Sequence, residues 1–102
     1  MDNIFIDFIL AGNVIKLYTL YNLIGLAILF VREGRLTHCV TLLAAANAIA
    51  KSIGLKIEPE LQEPYDEALA EVRKTLSKED FQAAWMTGET MDIERAVKFA
   101  TE

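Results

Sequence analysis

Cysteine, histidine and tryptophan each occur once in this chain, proline occurs twice, and lysine and arginine nowhere form a cluster. A single cysteine, Cys39, excludes an intramolecular disulfide. His38 lies next to it, so on a helix the two side chains project about 100° apart. No further His or Cys exists to complete a zinc site, which usually takes four ligands. No metal and no cofactor are therefore expected. Without a basic footprint, nucleic acid and anionic membrane surfaces are not expected as partners. No Gly-x-x-x-x-Gly-Lys is present, so a phosphate-cradling loop is excluded. Low-complexity tracts and long linkers are also missing, and 102 residues suit one domain, spanning 1–102.

Apolar residues are what the chain has in excess. Its hydrophobic content is 53% and its mean hydropathy +0.26. Small domains bury a smaller fraction of their surface than large ones, so this surplus predicts burial against another molecule, most simply a second copy. Charge is uneven. Residues 1–54 carry a net +1 and residues 55–102 a net −6, giving −5 in total.

The stretch from Leu17 to Val31 has no charged residue. Spanning a bilayer takes roughly 20 predominantly apolar residues, and a backward extension meets Lys16, Asn13 and Asp7. A buried helix is the expectation. Asp2 and Asp7 stand where a signal peptide would be basic, which makes the cytoplasm the expected location.

Periodicity predicts an all-α chain of about five helices. Gly34 separates two segments, Tyr18–Glu33 and Leu36–Ile53. In the second, Leu36, Cys39, Val40, Leu43, Ala46, Ala50 and Ile53 recur at helical spacing, and Gly54 follows as a C-cap. A third helix shows Tyr65, Ala68, Leu69, Val72 and Leu76 on one face, with a regular start near Pro64 and Pro59–Glu63 as a lead-in turn. Ser77 is the expected N-cap of a fourth helix with Phe81, Ala84 and Trp85 on its buried stripe and Gly88 at its end. Asp92 caps a last helix with Ile93, Ala96, Val97 and Ala100 inward. For the first dozen residues helix is favoured over strand, since a lone strand has no partner.

Few residues suggest chemistry. Cys39 lies on the apolar stripe, where a small core residue belongs rather than a reactive thiolate. Trp85 shares a stripe with Phe81 and Ala84, which favours a core role over an exposed hot spot. Glu58, Glu60 and Glu63 lack the ligand spacing and glycine of a calcium loop, and suit a solvated helix entry. Tyr18, Tyr21 and Asn22 mark a solvent-facing or partner-facing side of the first long helix. No nucleophile–base pair can be assembled, so no catalytic residue is expected.

The segments around Gly34 are similar to one degenerate tetratricopeptide repeat. Leu23, Leu26-Ala27 and Phe30 fit its first helix, and Cys39, Leu43 and Ala46 its second; Ala27 replaces the usual glycine and Lys51 a frequent proline. Downstream, the run Leu42–Ala46, then Pro59, Tyr65, Leu69, Arg73 and Leu76, then Phe81, Ala84, Trp85 and Gly88, resembles the C-terminal end of a known helical region. That region is the tetratricopeptide-like part of LuxR-type and related signal-transduction ATPase regulators of bacterial transcription. The likeness runs from about Leu42 to Val97, and residues 1–17 match nothing in it. It implies an α-α superhelix fragment, with 18–53 as the repeat-like pair and 59–101 as a three-helix cap. It also implies protein contacts rather than chemistry, since the nucleotide-binding and DNA-binding domains of those regulators have no counterpart here.

The expectation is a non-catalytic protein-interaction or scaffold module, a stand-alone relative of the sensor end of such a regulator, with a small-ligand- or peptide-binding sensor as the alternative. The expected core comprises Leu26, Ala27, Phe30, Cys39, Leu43, Ala46, Tyr65, Leu69, Phe81 and Trp85. One recognisable repeat leaves an apolar flank open, because solenoids usually need about three. The expected cover is an isologous homodimer through Ile4, Phe5, Phe8, Leu20, Leu23 and Ile24.

Overall fold

A computed structural model describes residues 13–54 and 59–101. The described residues are all-α: α1 (Asn13–Arg32), α2 (Leu36–Ser52), α3 (Pro59–Thr75), α4 (Lys78–Glu89) and α5 (Ile93–Thr101). The expectations for the first dozen residues, and for Lys56 to Glu58 before α3, fall outside the described residues.

Gly34 turns the chain between α1 and α2. Its φ of +78° is a left-handed conformation that a side chain rarely adopts. The Gly34 N–H donates to the Val31 carbonyl at 3.2 Å, and the Arg35 N–H to the Phe30 carbonyl at 2.8 Å. This is a Schellman motif, whose flanking apolar contact is replaced here by the Arg35 guanidinium lying 4.4 Å above the Phe30 ring. The two helices therefore fold back as a hairpin.

Helix α2 is the centre of the fold and packs against all four others. Burial runs without a break from Cys39 to Ala46. Periodicity assigns only one face of this helix to the core. Its small residues, Ala44, Ala45 and Ala46, let neighbours close in on every side.

Helix α4 approaches α2 closely at Gly88. A Cβ built on Gly88 would collide with the Thr41 carbonyl oxygen and come within 2.7 Å of the Ala44 Cβ. Gly88 thus does not end the helix, which continues to Glu89. It is the absence of a side chain there that seats α4 on α2.

Helix α3 begins at Pro59, earlier than expected, and carries Pro64 inside it. The missing N–H leaves the Glu60 carbonyl without its helical donor. Glu60 is exposed, so water can serve it. Tyr65, Ala68 and Val72 are buried, and the Tyr65 hydroxyl donates to the Leu43 carbonyl at 3.2 Å, fastening α3 to α2.

The two predicted caps are present. Ser77 Oγ accepts from the Asp80 N–H at 3.1 Å, and Asp92 Oδ1 from the Arg95 N–H at 2.8 Å. Helix α5 buries Ala96 and Ala100, while Val97, expected inside, is 43% exposed. Phe99, on the same helix, stacks on His38 at 4.8 Å between ring centroids. His38 in turn makes a T-shaped contact with Phe30 at 5.9 Å between ring centroids, so one aromatic file ties α5 to the hairpin.

Within the expected core, Ala27, Phe30, Cys39, Leu43, Ala46 and Tyr65 are buried. Leu26, Leu69, Phe81 and Trp85 are half-buried and pack against that cluster.

Candidate interaction surface

Helix α1 carries no charge between Lys16 and Arg32, so its sequence does not say which side faces water. Packing against α2, α3 and α5 decides it. Leu20, Leu23, Ile24, Ala27 and Phe30 turn inward. Leu20, Leu23 and Ile24 are at most 2% exposed, which removes them from the expected self-interface. They cover the core of their own molecule, and the surplus apolar surface they represent is used internally. Ile4, Phe5 and Phe8, the other half of that expectation, lie outside the described residues.

What α1 leaves outside is a different set. Tyr18, Asn22, Gly25 and Leu29 recur at spacings of four, three and four residues, which puts them in one row along the helix. Tyr18 is 65% exposed and Leu29 47%, two of the large apolar side chains that the described residues leave most open. The row is uncharged from end to end, and Arg32 closes it at the C-terminal end.

A groove of about 390 Å³ runs beside this row, between α1 and α5. Its floor is Leu23, Leu26 and Ala100, and Val97, Thr19, Asn22 and Thr101 stand at its edges. The exposure of Val97 thus has a place in the architecture, as the far wall of an apolar channel flanking the α1 row. A larger groove of about 570 Å³ at the other end of α1 brings Lys16 near Glu89, Asp92 and Glu94 and opens to solvent.

The remaining candidates are structural. Trp85 lies nearly parallel to Phe81, with 6.0 Å between ring centroids, and its Nε1 donates to Glu89 Oε1 at 2.9 Å. The Arg73 guanidinium sits 4.9 Å from the Phe81 ring centre. These interactions close the outer side of α4. Cys39 is fully buried, and burial pushes its thiol up to about 11, away from thiolate reactivity. His38 is held between two phenyl rings. Among the described residues no group of three or more His, Cys, Asp or Glu side chains is arranged to hold a metal ion. No helix among them is long and apolar enough to cross a membrane.

Comparison with protein families, with curated proteins and with solved structures finds no match.

Proposed function

We propose that this protein is a non-catalytic interaction module that recognises another protein through the exposed row of α1 and the groove beside it. The observation that carries this reading is the row itself: two large apolar side chains and a glycine, aligned and uncharged, next to an apolar channel. Isolated exposed apolar residues are ordinary, whereas an aligned set bordering a groove has the form used to seat a helix or peptide. The likeness of residues 42–97 to the helical region of bacterial transcriptional regulators points the same way. On this reading the chain is a relative of a regulator's sensor end, working in the cytoplasm.

A photoreactive side chain placed at Leu29 tests this in the protein's native cell, with the same group at Glu79 as the comparison. Glu79 is also exposed and lies on a charged helix start. Discrete protein adducts from position 29 and none from 79 are expected. Adducts at neither position, or equally at both, would remove the reading.

A further inference from the structure

We infer that the partner seated on this face is a second copy of the chain, through an antiparallel crossing of two α1 helices centred on Gly25. This rests on the reading of the α1 row as a contact surface and names what covers it.

Gly25 stands apart from the other described glycines. Three other described glycines have reasons inside the molecule. Gly34 and Gly54 adopt positive φ, and Gly88 makes room for the Thr41 carbonyl. Gly25 has neither reason. Its backbone is helical, it lies mid-helix in α1, it is exposed, and a Cβ built on it would meet nothing within 4 Å. A helix interior disfavours glycine relative to alanine. Close approach of a second backbone from outside explains it, as Gly88 already permits for α4 within the molecule.

The flanking residues select the occupant and its direction. Tyr18 and Arg32 stand seven residues to either side of Gly25, about two helical turns away and on the same face. In an antiparallel pair related by a two-fold axis at Gly25, each residue before it lies opposite one equally far after it. Tyr18 of each copy then faces Arg32 of the other, and the pairing is made twice. A guanidinium over an aromatic ring is an arrangement this chain already uses at Arg35 with Phe30 and at Arg73 with Phe81. A parallel pair would instead set Arg32 against Arg32, a like-charge encounter.

Leu29 completes the fit. Four residues beyond Gly25, it lies opposite the segment containing Asn22, at the edge of the groove floored by Leu23 and Leu26. Each copy thus offers a knob and a channel to receive it. The row is also free of charge in a molecule of net −5, so self-repulsion is least along this line of approach.

Light scattering coupled to size exclusion, on the purified full chain and three variants, tests the proposal. The wild type should show twice the 11.4 kDa chain mass and dissociate on dilution. Gly25→Leu should be monomeric, and at a dilution where the wild type is also monomeric it should melt at an equal or higher temperature, since it blocks the approach while improving the helix. Arg32→Glu should weaken the dimer by about five- to thirty-fold, because it removes both guanidinium–ring pairings. Gly25→Cys should form an intermolecular disulfide on mild oxidation, while the wild type, whose Cys39 is fully buried, should not. A wild type that stays monomeric at millimolar concentration overturns the proposal, as does a dimer that survives Gly25→Leu. If the monomer nevertheless yields adducts from position 29 with a different protein, self-pairing falls and the interaction reading stands.

Discussion

Gly88 of α4 lies directly against the Thr41 carbonyl of α2, with no room between them for a β-carbon. Gly25 of α1 has open space where its β-carbon would be. The same substitution at the two positions should therefore act in opposite directions. Gly88→Ala should destabilise the fold by about 1–3 kcal/mol through overpacking. Gly25→Ala should stabilise the protomer by about 0.5–1 kcal/mol through helix propensity. Urea unfolding of both variants at a concentration where the wild type is monomeric checks the pair.

Tyr65 is the buried fastener between α3 and α2. Tyr65→Phe keeps the ring and removes only the hydrogen bond to the Leu43 carbonyl. A loss of about 0.5–1.5 kcal/mol is expected, at the size of one neutral hydrogen bond. Thermal unfolding monitored by helical circular dichroism measures it.

Alkaline pH should weaken the fold in two stages. Burial raises the Cys39 thiol from 9.0 to about 11. Burial first, then the charges of Asp66 and Cys39, raise the Tyr65 phenol from 10.0 to about 12. Both groups hold their proton more tightly when folded, so their contribution is fully present below the unfolded values. It is lost as pH rises through the folded ones. Stability should start to fall near pH 9 in the wild type, and only near pH 10 in Cys39→Ala. Denaturant midpoints measured across the alkaline range would show the two onsets.

Ser77 and Asp92 each satisfy one N–H at a helix start on the surface. Ser77→Ala and Asp92→Ala should each cost about 0.5–2 kcal/mol. The sites lie at the starts of different helices, and their effects should add in the double variant. A set of four chemical denaturation curves settles this.

Local chemistry is the legible part of the sequence. Gly34, Gly54, Ser77 and Asp92 act through their own backbone neighbourhoods, and each stands where its type predicts a turn or cap. Properties that depend on a distant neighbour are not legible. A glycine that ends a helix and one that admits another helix look alike in sequence, and only the Thr41 carbonyl tells which Gly88 is. Charge orients most surface helices, but α1 has none from Leu17 to Val31. Pattern alone therefore puts Leu20, Leu23 and Ile24 outside, whereas docking of α2, α3 and α5 takes them in and leaves Tyr18, Asn22, Gly25 and Leu29 out. The signs of that outer face that do survive in the sequence are Tyr18 and Asn22, read there as a solvent-facing or partner-facing side, and the isolated glycine in the middle of the helix; Tyr21, read with them, is half-buried.

Crosslinking from position 29 in the native cell is the decisive test of the exposed row of α1 as a recognition face. Discrete protein adducts are expected from Leu29 and none from Glu79, with adduct formation abolished by Tyr18→Asp and the melting temperature unchanged. Equal yields from both positions, or adducts that persist after Tyr18→Asp, would contradict it.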